Sequence, residues 1–216
     1  MRNHTTEENM DGKDTKPVIA LKRHIQKYVQ TLLSDIKEMK SRETDSKKEV
    51  ASLANLLEQR ECVANVDVVG LTLATLFPDV QPRLLVNISA EVDAKLDKLK
   101  DLIEPLRRHS AVAYKARCDA LTLIRKYSDD LNMHTLTAGQ PTIPPLTVML
   151  DWIDVVEKKT REIYYTRLYY LENIVDQEIV KSDCLVTLWS EDIPALLNIV
   201  QDCEEQSRYF LEEKFQ

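Results

Sequence analysis

The sequence predicts an all-α fold: long antiparallel helices in a coiled-coil-like bundle, closed by a C-terminal helical hairpin. Three observations lead there. Apolar residues recur at steps of three and four over long stretches. The 216 residues include only three glycines, Gly12, Gly70 and Gly139, too few for the tight turns of an all-β fold. Charged residues make up 30% of the chain and are interleaved with Leu, Ile, Val and Ala, the composition of long helices. At 44% hydrophobic, the chain can bury a core.

Residues 1–16 are polar and aperiodic, and are expected to form a disordered tail. A long-helix region, 17–131, follows. Pro17 suits a first helical turn, and Leu21, Ile25, Tyr28, Leu32, Ile36 and Met39 form one apolar stripe. The run Ser41–Lys48 is polar on all sides, a candidate interruption. Val50, Leu53, Leu56, Leu57 and Val63 then resume the stripe. A connector at about 65–82 is punctuated by Gly70, Pro78 and Pro82. Its apolar piece, LTLATLF, reads as a short helix or extended segment laid over the core.

From Arg83 to about Asp130 a second periodic segment carries Ile88, Val92, Leu96, Leu99, Ile103 and Leu106, then smaller residues. Pro105 predicts a kink near residues 101–104. At 1.5 Å per residue this helix is about 70 Å long, a length suited to bundles. Residues 132–145 (NMHTLTAGQPTIPP) read as a loop, and 146–216 as a C-terminal helical region. Its first helix runs from Leu146 to about Ile179. A loop or turn spans Lys181–Ser190 and carries Trp189. A last helix starts near Asp192, with Asp192 as N-cap and Pro194 in the first turn.

Several function classes are excluded by what the residues lack. A net charge of -7 is opposite in sign to that of a dedicated nucleic-acid binder. Small basic clusters at Arg107-Arg108-His109, Arg125-Lys126 and Lys158-Lys159 with Arg161 read as solvated helix faces, with a local RNA or DNA contact as the alternative. No stretch approaches the roughly 18 apolar residues of a membrane span. Cys62, Cys118, Cys184 and Cys203 are scattered without a CxxC, as ordinary buried thiols of an intracellular protein are. His4, His24, His109 and His134 are isolated from other metal ligands, so no metal is expected. Neither a phosphate-binding glycine loop nor a nucleophile elbow is present. The expectation is a non-enzyme with no cofactor.

The informative constellation is aromatic. At 100° per residue from Leu146, one face collects Leu146, Met149, Leu150, Ile153, Val156, Tyr164, Leu171, Ile174 and Val175, with Leu168 at its edge. Tyr165 and Tyr169 fall on the opposite face, one turn apart. Trp152 and Tyr170 share a flank in this projection. A helix apolar on more than one side has more than one neighbour. Either other helices of the same chain cover both sides, or the Tyr/Trp surface meets a partner, since these residue types concentrate in interface hot spots. Arg167 lies near the core edge. It either snorkels to solvent, the simpler expectation, or is buried against an acidic or carbonyl partner. The candidate partner-binding residues are Trp152, Tyr165, Arg167, Tyr169 and Tyr170.

These residues carry a family resemblance. MLDWIDVVEKKTREIYYTRLYYLENI (149–174) resembles the C-terminal signature of the AIRIM family of ribosome-maturation factors. SLANLLEQ (52–59), FPDVQPRL (77–84) and FLEE (210–213) are similar to family segments in the same order, whereas 181–192 departs from the pattern. The CINP family has a similar basic-aromatic helix. The resemblance implies a non-catalytic adaptor that pairs with a CINP-like protein and with an AAA+ ATPase of the SPATA class. It implies action on precursors of the large ribosomal subunit, contacted indirectly, and a link to replication-fork protein turnover. Localisation would be cytoplasmic and nuclear. The alternative from periodicity alone is a structural coiled-coil subunit of a kinetochore or cytoskeletal assembly.

Overall fold

The computed structural model describes residues 14–67, 76–174 and 181–215. Six helices are found there: α1 Lys16–Asn65, α2 Val80–Lys126, α3 Met133–Thr137, α4 Leu146–Asn173, α5 Ser182–Ser190 and α6 Ile193–Glu212. Among the described residues the only β pairing is an isolated bridge between Gln140 and Ile143.

Inter-helix contacts fix the topology. Glu49 meets Lys95 and Lys98, while His24 meets the carbonyl of Ala116, so α1 and α2 are antiparallel. Ser110 bonds Glu157 and Arg117 pairs with Asp154, so α4 runs back along α2. Trp189 lies beside Ser46 and Gln26 beside Phe210, so α5 and α6 run in series down α1. The result is an up-down-up-down four-helix bundle whose fourth member is broken at Ser190–Asp192. Its core is one cluster that includes Leu21, Ile25, Leu53, Leu99, Ile103, Met149, Ile153, Trp189 and Phe210. Each such fully buried side chain contributes roughly 1.5–3 kcal/mol.

The polar run Ser41–Lys48 does not interrupt α1. Buried positions continue through it at Met39, Glu43, Ser46, Val50, Leu53 and Leu57, steps of three and four throughout. Glu43 and Ser46 occupy core positions: Glu43 Oε2 pairs with Arg167 of α4, Ser46 Oγ accepts from Trp189 of α5, and Glu43 Oε1, without a hydrogen bond, has Lys47 Nζ at 3.6 Å. Pro105 is buried inside α2 without ending it. Proline lacks the N–H that would bond the carbonyl of Asp101. Arg42 Nη1 of α1 donates to that carbonyl instead, at 3.4 Å.

Other boundaries differ from expectation. Helix α2 begins at Val80, with Pro82 in its first turn, and ends at Lys126. The connector piece falls mostly on residues 68–75, outside the described residues. Its last two residues, Leu76 and Phe77, are exposed rather than laid over the core. Of the expected tail 1–16, residues 1–13 also lie outside the described residues, whereas Asp14 pairs with Lys22 and Lys16 already begins α1; the expected extension of α4 to Ile179 falls on 175–179, again outside them. The 132–145 loop contains the one-turn helix α3, where Asn132 Oδ1 accepts from the Thr135 N–H. Gly139 permits a close approach: a Cβ there would lie 3.0 Å from Pro145 Cγ, and the proline ring would have to give by a few tenths of an ångström.

The expected loop at 181–190 is helix α5. Leu185 and Trp189, one turn apart, pin it to the core. Asp192 stands at the N-cap position of α6 but does not cap. Its carboxylate takes Lys159 of α4 at 3.2 Å. Not every cysteine is buried: Cys203 is, and burial lifts its thiol to about 12, whereas Cys62 and Cys184 are exposed.

Candidate partner-binding face

Helix α4 packs against α2 and α6 along Leu146, Met149, Ile153, Val156, Thr160, Ile163, Arg167 and Leu171. That seam sets the environment of the five residues singled out above. Tyr165 and Tyr169, opposite it, are 60% and 51% exposed. Tyr164 and Tyr165 rings meet edge-on at 5.2 Å, and Tyr169 and Tyr170 at 6.2 Å. Trp152 and Tyr170 are half-buried against the core. Burial, then Asp192 and Glu191, raise the Tyr170 hydroxyl above its ordinary range. The shared flank of Trp152 and Tyr170 exists only in projection. Eighteen residues separate them, about 27 Å along the axis. Trp152 is therefore apart from the tyrosine cluster.

Arg167 does not snorkel. It is 4% exposed, and its guanidinium is held on three sides. Nη1 pairs with Glu43 Oε2 at 2.7 Å. Nη2 donates to the carbonyl of Trp189 at 2.7 Å. The plane lies over the Trp189 ring at 4.6 Å. Trp189 Nε1 donates in turn to Ser46 Oγ at 3.1 Å, and Ser46 donates to the Glu43 carbonyl at 3.0 Å. One buried network thus ties α1, α4 and α5 together. Arg167 acts within the chain, and any effect on a partner passes through this packing.

A second network joins α1 and α2. His109 Nδ1 donates to Asp35 at 2.7 Å, leaving Nε2 to accept from the Tyr28 hydroxyl at 3.5 Å. Burial holds His109 below its ordinary range, partly offset by Asp35. Burial also raises the Tyr28 hydroxyl, reinforced by Cys203, Asp35 and Glu157. Glu49, also on α1, bridges Lys95 and Lys98 at 2.6 Å each, and those hydrogen bonds lower its carboxyl.

Beside Tyr165 a groove of about 450 Å³ opens between α2 and α4. Arg107, Tyr114 and Arg117 come from α2; Lys158, Arg161, Tyr164 and Tyr165 come from α4. Sequence periodicity missed it because its two walls lie about fifty residues apart. Among the described residues no group of three or more His, Cys, Asp or Glu is placed to hold a metal ion, and no helix is long and apolar enough to cross a membrane.

The fold and this face define a four-helix bundle that presents aromatic and basic side chains on its outer surface. Comparison with known proteins narrows the class. The chain matches the family described as "CA109-like: Ribosome biogenesis protein C1orf109-like" over residues 19–206, and it belongs to that family of ribosome biogenesis proteins. The match begins at residue 19, so it takes in the first half of α1, where the resemblance has no segment. The chain is 25% identical to a human "AFG2-interacting ribosome maturation factor" over 167 residues, covering 76% of this chain and 81% of that one. It is 22% identical to the mouse protein of the same name over 165 residues, 76% of each.

Proposed function

We propose that this protein is a non-catalytic adaptor subunit of an AAA+ ATPase complex that matures precursors of the large ribosomal subunit by releasing or recycling assembly factors. Family membership supports the ribosomal part. The relatives' printed name, "AFG2-interacting", supports a contact with an ATPase. The ATPase we propose is one of the SPATA class. A CINP-like protein is the second partner, and the pre-ribosomal particle is reached through these proteins. The same subunit would serve replication-fork protein turnover, in both cytoplasm and nucleus. A net charge of -7 favours protein partners over direct nucleic-acid contact.

The observation that carries the reading is the pair Tyr165 and Tyr169, left exposed on a helix inside the family-matched span. Exposed tyrosines one turn apart, backed by a rigid buried network, supply low-entropy contact area for a partner. The non-catalytic part rests on how buried ionisable groups are used. Glu43, Arg167, His109 and Glu157 each bond another helix of the bundle or a neighbour on the same one. The test is affinity purification of the tagged full-length protein from its own cells, with light scattering on the purified chain. Recovery of an AAA+ ATPase with large-subunit precursor proteins is expected. A stable homo-oligomer that recovers only itself, or filament or kinetochore proteins, overturns the adaptor reading.

A further inference from the structure

We propose that the groove between α2 and α4 is a docking site for an acidic amphipathic helix of a partner protein. The proposal rests on the adaptor reading and adds to it a location and a chemistry for the bound segment. The walls are Arg107, Tyr114 and Arg117 on one side and Lys158, Arg161 and Tyr165 on the other. Each cation holds a carboxylate of this chain. Arg107 grips Glu104, Arg117 and Lys158 share Asp154, and Arg161 takes Glu157 at 2.8 Å.

Burial sorts the two signs by depth. Side chains of Arg107, Arg117, Lys158 and Arg161 are 41–60% exposed, whereas their carboxylates are 39% (Glu104), 19% (Asp154) and 5% (Glu157) exposed. Asp154 and Glu157 lie beneath their bases and Glu104 sits at the rim beside Arg107, so the groove faces outward more positive than negative on a chain of net charge -7. Tyr114 and Tyr165, 57% and 60% exposed, add apolar surface between the cations. From Arg107 to Arg117 the wall runs about 15 Å, nearly three helical turns. An occupying helix of that length places Leu or aromatic side chains on the tyrosines and Asp or Glu at the rims.

A nucleic acid fits less well. Its affinity comes largely from counterions released when free cations neutralise phosphates. Here the carboxylates of Glu104, Asp154 and Glu157 offset part of that charge, and a continuous polyanion would meet them along its length. A protein segment with a few carboxylates gains instead from covering the tyrosines.

The test is selection from a displayed library of random peptides of about 16 residues against the purified full-length protein, long enough to form such a helix. Counter-selection uses the variant Arg107→Ser/Tyr114→Ser/Lys158→Ser/Tyr165→Ser, checked by circular dichroism. The charge reversal Arg107→Glu/Lys158→Glu replaces it if the fourfold variant does not fold. Enriched peptides should be net acidic with Leu or aromatic residues at helical spacing. In fluorescence anisotropy they should bind the variant about tenfold or more weakly. Neutral or basic winners, equal binding to both proteins, or no enrichment over the variant overturns the proposal. Binding of an oligouridylate that the variant abolishes, with no peptide selected, makes the groove a nucleic-acid site instead. Failure of the adaptor reading is seen separately, in the purification from cells. An ATPase recovered equally by wild type and variant sinks the groove and leaves the adaptor standing.

Discussion

Replacing Arg167 with alanine tests whether the buried network is a structural joint. In the folded protein the guanidinium answers Glu43 and the Trp189 carbonyl and covers one face of the Trp189 ring. Arg167→Ala leaves Glu43, 8% exposed, without its main counter-charge, and leaves the Trp189 carbonyl, in the last turn of α5, without the guanidinium donor. Breaking one partner of a buried pair costs about 3–5 kcal/mol. Here the lower end applies, because Lys47 Nζ lies 3.6 Å from the other Glu43 oxygen and supplies part of the lost field. The expected loss is therefore about 3 kcal/mol. For a chain of this length each kcal/mol lowers the melting temperature by about 2–4 °C, so the midpoint should fall by about 6–12 °C. The assay is urea and thermal denaturation followed by far-ultraviolet circular dichroism. Glu43→Leu/Arg167→Met, which removes both charges and keeps volume, should lie within about 1 kcal/mol of wild type. A single variant no more than about 0.5 kcal/mol less stable would mean that the pair is effectively solvated and that the joint is not made here.

Three further predictions address other parts of the molecule. Tyr165→Ala/Tyr169→Ala should keep its helical signal and stay within about 0.5 kcal/mol of wild-type stability, because both side chains are exposed; unfolding in equilibrium denaturation would make them core residues. Leu99→Ala, at a fully buried position of α2, should cost about 3 kcal/mol by cavity formation, read as a shifted urea midpoint. His109 is held below its ordinary value of 6.5 by burial, so the unfolded chain binds a proton that the folded chain refuses. Stability therefore falls as pH drops below about 6.5, and His109→Gln, which keeps a donor for Asp35 but cannot titrate, should flatten that slope in urea titrations at pH 7 and about pH 5.

The long helices were legible in the sequence because burial there follows a simple period. Leu21 to Met39, Ile88 to Leu106 and Leu146 to Val156 all sit where their spacing puts them. Legibility failed where polar residues fill core positions. Glu43 and Ser46 keep the three-four spacing through Ser41–Lys48, but residue type hides the register. Their partners, Arg167 and Trp189, lie more than 120 residues away. The same distance decides between the two alternatives for Arg167, since the carboxylate and carbonyl that hold it are on other helices. Helix α5 is nine residues long, too short to establish a period, and its one signal was the i,i+4 pair Leu185 and Trp189. The exposed tyrosines could be placed from α4 alone. The groove beside them could not, since it exists only when α2 supplies Arg107 and Tyr114.

The central claim is that the tyrosine face of α4 joins this protein to an ATPase complex. Its most direct test is a paired, isotope-labelled affinity purification of the full-length wild type and of Tyr165→Ala/Tyr169→Ala at equal abundance. The account predicts an AAA+ ATPase and large-subunit precursor proteins with the wild type, and their selective depletion with a variant that keeps its helical signal. Equal recovery by both proteins, or no ATPase with either, would contradict it.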